Sequence, residues 1–239
     1  MEQRHNQHGR KSFINLNINF KIHLGNHIGI RKFYLNILEL KKVQRLVGGN
    51  PVLDIRHLKF HKGTIYGVVG AVGSGKTSLL NILSGSSKPD RGSVLYDYEP
   101  FKKSFLGRSI IPSDVAYVNV QKIENYTVKS LFKRSNASQV LSNYFSNLST
   151  DKILDRYVKK LTNGEKNAVN LTLGIEADPR VLIIDDYALF FDNKMENKFR
   201  KKLININKEH GTTIVPVSYT HLRAHETRGN VVCRLLLEK

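Results

Sequence analysis

Residues 70–77 read Gly70-Ala71-Val72-Gly73-Ser74-Gly75-Lys76-Thr77, with Ser78 next. Glycines at these intervals let successive backbone N–H groups turn inward around the oxygens of a phosphate chain. Lys76 can reach β- and γ-phosphates, and the Thr77 hydroxyl is a hard oxygen donor suited to Mg²⁺. Both flanks fit this chemistry. Thr64-Ile65-Tyr66-Gly67-Val68-Val69 is a short apolar, β-rich run, and Thr77-Ser78-Leu79-Leu80-Asn81-Ile82-Leu83 has helical spacing. The loop is therefore predicted to join a strand to a helix whose N-terminus attracts an anion, and the stretch from Gly70 to Ser78 is predicted to bind nucleotide phosphates.

Further along, Leu161-Thr162-Asn163-Gly164-Glu165 precedes Asp178-Pro179 and the apolar run Val181-Leu182-Ile183-Ile184, which ends in Asp185-Asp186. A buried strand ending in acid delivers carboxylates to the edge of a sheet. In an open α/β sheet that edge, at the carboxyl ends of the strands, is where ligands sit.

The elements that must position these groups fall into four parts. Residues 1–37 form an extension of unassigned role, in which Ile14, Leu16, Ile18, Phe20, Ile22 and Leu24 alternate with polar residues, predicting one half-buried strand. Residues 38–120 carry strand-like runs around the loop, with turns at Gly48-Gly49-Asn50-Pro51 and Lys88-Pro89-Asp90-Arg91-Gly92. Residues 127–161 change to helical spacing. Val140, Leu141, Tyr144, Phe145 and Leu148 fall on one face, and Ile153, Leu154, Tyr157, Val158 and Leu161 on another. A helix bearing Met195, Phe199 and Leu203 then leads to the strand Thr212-Thr213-Ile214-Val215. Strands separated by helices imply a parallel sheet and an α/β fold.

The last segment reads differently. Val217-Ser218-Tyr219-Thr220-His221-Leu222-Arg223-Ala224-His225-Glu226-Thr227 resembles one frame of a translated transposase-type sequencing adapter. After a spacer of index length, Val232-Cys233-Arg234-Leu235-Leu236-Leu237-Glu238-Lys239 matches the adapter's other fixed part, Val231 alone departing from it. Residues 217–239 are accordingly expected to be non-native, with the natural chain interrupted near Val215 or Pro216. An apolar, β-prone run such as 231–237 would still take an open sheet edge if one were offered.

The only cysteine, Cys233, lies in that segment, so residues 1–216 hold no disulfide framework and no cysteine metal site. No run approaches the length needed to cross a bilayer, and the beginning Met1-Glu2-Gln3-Arg4-His5 is not a secretory signal. The formal charge of +18 invites a nucleic-acid reading. Its lysines are scattered, however, often in pairs such as Lys102-Lys103 and Lys201-Lys202. That favours solvated surface first, attraction to an anionic membrane face second and nucleic acid last.

Taken together, the loop, the segment at Leu161 and the acidic strand end resemble the ATP-binding domain of an ABC transporter across roughly residues 38–215. Leu161-Thr162-Asn163-Gly164-Glu165 is similar to the family signature, and the spacing from Gly164 through Asp178-Pro179 to Asp185 matches without a gap. A finer similarity, in Ala71-Val72-Gly73-Ser74 and the double aspartate, is to the C subfamily of exporters. The resemblance implies a P-loop NTPase core with an antiparallel β region and a short helical subdomain, truncated at the C-terminus. It implies ATP and Mg²⁺ as cofactors, a second ATPase domain and a transmembrane permease as partners, and a cytoplasmic, membrane-peripheral location.

Residue by residue, the resemblance makes Gln121 the glutamine that senses Mg²⁺ and the attacking water. It makes Asp185 the Mg²⁺-supporting aspartate, Asp186 the catalytic carboxylate and Asp192 the D-loop aspartate. Leu161, Thr162, Asn163, Gly164 and Glu165 would face the partner's ATP, with Asn163 tolerating unusual backbone angles in place of a glycine. Three departures stand out. Asp186 is one methylene shorter than the family's glutamate, and a misplacement of about 1 Å can cost about 100-fold. Val47 stands where an aromatic ring usually covers adenine. The switch histidine is missing, since His221 falls late and lies in the adapter-like segment. Alternatives are a degenerate ABC domain that binds ATP in a regulatory role, a soluble non-transport ABC ATPase, or a small-molecule kinase or GTPase. The last leaves the segment at Leu161 without a purpose.

Overall fold

The computed structural model describes residues 35–217 apart from 107, 120–122, 133–135, 145–149, 186 and 188–189, and the backbone of 232–237. The strand expected over residues 14–24 lies outside the described residues. β1 (Asn36–Val47) and β2 (Asn50–His61) form a long antiparallel hairpin that turns at Gly48-Gly49, both with positive φ. β4 (Arg91–Tyr96) and β5 (Glu99–Pro100) complete a sheet of order β2-β1-β4-β5.

The second sheet is parallel throughout. β3 (Ile65–Gly70), β6 (Val115–Val118), β7 (Val181–Ile184), β8 (Thr213–Pro216) and β9 (Val232–Leu237) lie in the order β6-β7-β8-β3-β9. β7 and β8 are buried along their whole length, which is why their sequences read as continuous apolar runs rather than alternating ones.

Alternate residues of these strands serve two cores, as the period of two requires. On one face Val68, Ile183 and Val215 meet Leu79, Leu80 and Leu83 of helix α1 (Lys76–Leu83) and Leu38, Leu40 and Phe60 of the antiparallel sheet. On the other, Leu182, Ile184 and Ile214 pack with Ala168, Leu171, Ile175, Phe199 and Leu203 from two helices on the opposite side.

Of the helical face expected from Val140 to Leu148, Phe145 and Leu148 lie outside the described residues, and the stretch from Ile153 to Leu161 is more broken than its spacing predicts. Among the described residues, the helical region holds α2 (Val128–Leu131), α3 (Ala137–Tyr144), α4 (Thr150–Ile153) and a 3-10 turn at Val158–Lys160. Ile153 to Leu161 is not one helix because the chain there pairs with residues 126–128: Val158 N–H donates to the Tyr126 carbonyl and Val128 N–H to that of Arg156. The apolar residues still share a core, formed by Val128, Phe132, Leu141, Ile153, Val158 and Leu161. α5 (Asn163–Glu176) and α6 (Asn193–His210) follow. Gly174 lets α5 approach β6, since a Cβ there would stand 2.4 Å from Val118.

β9 pairs with β3 over its whole length, from Ile65 opposite Val232 to Gly70 opposite Leu237. The β-prone run thus occupies the edge of the sheet beside the strand that leads into the glycine loop.

Candidate nucleotide site

Gly70 ends β3, and after five intervening residues α1 begins at Lys76. Gly73 and Gly75 have φ of 77° and 91°, and Ser74 N–H closes the turn on the Ala71 carbonyl at 3.1 Å. Gly75 is the N-cap of α1, so no side chain caps this helix, and its first turn carries no acidic residue. The first N–H groups of a helix lack intrahelical partners. Here they open toward the loop, where the helix dipole favours negative charge.

Lys76 lies almost wholly buried, 3 % exposed, and its ammonium donates to the carbonyls of Gly70 at 2.8 Å and Ala71 at 2.7 Å. The charge is therefore held at the mouth of the loop by backbone dipoles. Ser74 Oγ is buried with no hydrogen-bond partner among the described residues, a costly state that an incoming phosphate oxygen would relieve. A Cβ on Gly75 would meet Leu53 Cδ2 and the Val52 carbonyl, each at 2.9 Å. β2 therefore walls the loop and brings the β1–β2 turn to its flank. Asp90 fixes that flank by accepting from Leu46 N–H at 2.7 Å, with Arg45 3.5 Å from its other oxygen. Val47 is 57 % exposed there.

Asp185 follows β7 at the same carboxyl edge of the sheet. Its Oδ2 accepts from the Tyr117 hydroxyl at 3.4 Å, and that hydroxyl accepts from Asn119 Nδ2 at 3.4 Å. These two residues escaped the sequence reading. Their signal is their position on or just after β6, one strand over from the acid, which only the sheet order reveals. Thr77 is exposed on the first turn of α1. Thr77 and Asp185 are oxygen donors of the kind Mg²⁺ accepts, an ion that commonly keeps several waters and takes few protein ligands. Gln121 and Asp186 lie outside the described residues.

The segment at Leu161 is built otherwise. Leu161 is anchored in the helical core, and Thr162 caps α5. Glu165 Oε2 accepts from Thr162 N–H at 2.8 Å and from its hydroxyl at 2.9 Å, while Glu165 N–H donates to Thr162 Oγ1 at 3.3 Å. This reciprocal box is written in the Thr-x-x-Glu spacing, a signal that the sequence reading passed over. Asn163 is the first residue of the helix and not among the positive-φ residues, so the expected unusual backbone angle is not found there; α5 begins normally because Thr162 caps it. Asp192 caps α6, accepting from Met195 N–H at 2.7 Å.

At the other end of the sheet, Arg180 precedes β7 and bridges Asp97 at 3.1 Å and Asp114 at 3.2 Å, while Lys62 pairs with Asp97 at 2.9 Å. Lys62 and Arg180 hold the Asp97 carboxyl below its ordinary range, and burial pushes the Tyr96 phenol up. A cavity of about 290 Å³ beside this brace is lined by Lys62, Asp178, Arg180 and His210. It is far from the glycine loop, and its charges are already paired.

A parallel sheet whose first strand runs through a glycine loop into an uncapped helix, with an acid at the same edge two strands away, defines a P-loop nucleotide-binding fold. The family model described as "ABC transporter" matches residues 53–188, and the chain belongs to that family. It is 24 % identical over 201 residues to the tungstate uptake system ATP-binding protein TupC of Peptoclostridium acidaminophilum, covering 82 % of this chain and 92 % of that protein. It is 26 % identical over 208 residues to the Fe(3+) ions import ATP-binding protein FbpC of Escherichia coli O157:H7, covering 82 % of this chain and 59 % of that one. The spermidine/putrescine import ATP-binding protein PotA of Nitrosomonas europaea is 26 % identical over 197 residues, and the chain spans 53 % of its length. Among solved structures, a bacterial ABC transporter cassette in dimeric form superposes with a TM-score of 0.63 at 20 % identity, covering 77 % of this chain and 88 % of that one. cbiO1 of Clostridium perfringens gives 0.58 at 20 % identity, covering 77 % and 79 %.

Proposed function

We propose that the loop from Gly70 to Ser78 binds ATP with Mg²⁺, and that the chain hydrolyses it to drive transport by a membrane permease, working as one of two facing ATPase domains. The observation that carries this reading is the pairing of an uncapped α1 N-terminus with the buried Lys76 and the unpartnered Ser74 Oγ. Lys76 would exchange its carbonyl partners for phosphate oxygens, and the N–H groups around Gly73 and Gly75 would hold the rest of the chain of phosphates. Bound Mg²⁺ would neutralise charge on the β- and γ-phosphates, with Thr77 and Asp185 as its protein oxygens. Tyr117 orients Asp185, Gln121 and Asp186 would place the attacking water, and Leu161, Thr162, Asn163, Gly164, Glu165 and Asp192 would face the partner domain. Phosphoryl transfer depends mainly on positioning and charge neutralisation, so the site can bind tightly even where water activation is poor.

Import is the direction that the relatives' names support, rather than the export suggested by the finer sequence similarity. No described helix is long and apolar enough to cross a membrane, which suits a subunit that docks on a separate permease. A second reading, ATP binding in a regulatory role with little hydrolysis, is favoured by the short Asp186 and the aliphatic Val47. Isothermal titration of Mg-ATP into the chain and into Lys76→Ala tests the binding, with a loss of roughly 100-fold expected; equal affinities would sink the assignment. Single-turnover hydrolysis by Asp186→Glu separates the two readings, since a faster rate means that the shorter carboxylate limits a working ATPase.

A further inference from the structure

Between β5 and β6 the chain makes a finger that the nucleotide chemistry does not use. Its base is held in the first core by Phe101 and Ile111; the Phe101 ring stacks on Tyr96 with centroids 6.2 Å apart and planes within 7°. Its shaft is a short ladder. Ile110 N–H donates to the Lys102 carbonyl at 2.7 Å, Ser104 N–H to that of Arg108 at 2.8 Å, and Arg108 N–H to Ser104 Oγ at 3.2 Å. A firmly anchored hairpin of this kind would be expected to end in polar turn residues. It ends instead in Phe105, fully exposed, and Leu106, 77 % exposed, with Ile110 half exposed behind them.

The charges carried by the finger itself are all of one sign. Lys102, Lys103 and Arg108 are exposed, none is in an ion pair among the described residues, and no acid occurs between residues 101 and 113. An apolar tip ringed by cations matches the interface of an anionic bilayer, where aromatic and aliphatic side chains enter the headgroup–acyl boundary and cations meet phosphates. The chain's formal charge of +18 works in the same direction. The finger leaves the core at the N-terminal edge of β6, whereas Lys76 and Asp185 lie at the carboxyl edge. Contact through the finger therefore leaves the nucleotide loop open.

We infer that the finger of residues 102–110 is a membrane-interface anchor, inserting Phe105 and Leu106 into an anionic phospholipid surface while Lys102, Lys103 and Arg108 contact its headgroups. One such contact is weak and reversible by itself. On the proposed function above, it would add to the docking of the chain on a permease.

The chain has no tryptophan, so Phe105→Trp places a single reporter at the tip. On vesicles of phosphatidylglycerol and phosphatidylcholine its emission should shift to the blue and be quenched by brominated acyl chains, while Tyr126→Trp, at an exposed position elsewhere, should show neither. Phe105→Ser with Leu106→Ser should weaken sedimentation with these vesicles roughly tenfold. Each of Lys102→Gln, Lys103→Gln and Arg108→Gln should cost roughly fivefold, less at high salt. An unshifted tryptophan on vesicles that retain the protein, or equal sedimentation of the serine variant, would overturn the proposal. So would a serine variant that keeps its vesicle binding but loses a protein partner. Mg-ATP affinity should stay unchanged in every tip variant, so failure here is distinguishable from failure of the nucleotide reading.

Discussion

The N-termini of α1 and α5 are finished in opposite ways. α1 starts from a left-handed glycine with no side-chain cap, no acid in its first turn and a buried ammonium beside it. α5 starts from Thr162, whose hydroxyl and N–H are closed by Glu165, placing a carboxylate over the positive end of the helix. A helix start left open is available to a phosphate, whereas one already satisfied by its own side chains is stable without a ligand. The contrast separates a helix start left fit to receive a phosphate within the chain from one that can at most present a finished surface to a ligand held elsewhere.

Breaking the open end should have the largest effect. Lys76→Ala should remove most Mg-ATP binding, as titration would show, while lowering the melting temperature of the free chain only modestly through the two carbonyls it leaves unpaired. Gly75→Ala should do both, because the new Cβ meets Leu53 and the Val52 carbonyl at 2.9 Å at a φ of 91°. A destabilisation of roughly 1–3 kcal/mol in chemical melts is expected.

Breaking the closed end should cost stability and nothing else in the isolated chain. Thr162→Ala removes the cap and should cost about 1 kcal/mol, with ATP affinity of the monomer unchanged. A Thr162→Ala chain that bound ATP much more weakly would show that the two helix starts are coupled.

The smallest effect is electrostatic and lies at the far edge of the sheet. Lys62 and Arg180 depress the Asp97 carboxyl in the folded chain. Its contribution is thus present above its ordinary value of 3.8 and lost as the pH falls through the lowered one. Lys62→Ala should flatten the acid limb of the stability profile slightly, because Asp97 is partly exposed and its ion pair is screened. A melting series at descending pH, compared with wild type, measures it.

The adapter-like reading of residues 217–239 has its own check. Re-amplifying the locus across the codon for Pro216 should give a sequence that diverges there; a genomic read continuing unchanged to Lys239 would overturn that expectation. In the structure this run supplies β9 beside β3, as an apolar, β-prone segment does wherever a sheet edge is open.

By itself the sequence determined what local chemistry can determine. The glycine–lysine loop was legible because each of its residues acts through its own backbone or a short reach, and the alternation of apolar strands and helical stripes was legible because the periods of two and 3.6 are local. Thr162 and Glu165 were equally legible as a capping box, yet were read for another role. What the tertiary structure alone decided are contacts between residues remote in the chain: Val52 and Leu53 against Gly75, Tyr117 against Asp185, and Arg180 across Asp97 and Asp114. It also broke the expected helix at Ile153 to Leu161, where pairing with residues 126–128 outweighed helical spacing. These contacts depend on strand order and on how closely the two sheets approach, and packing sets both, whereas no repeat in the sequence encodes either.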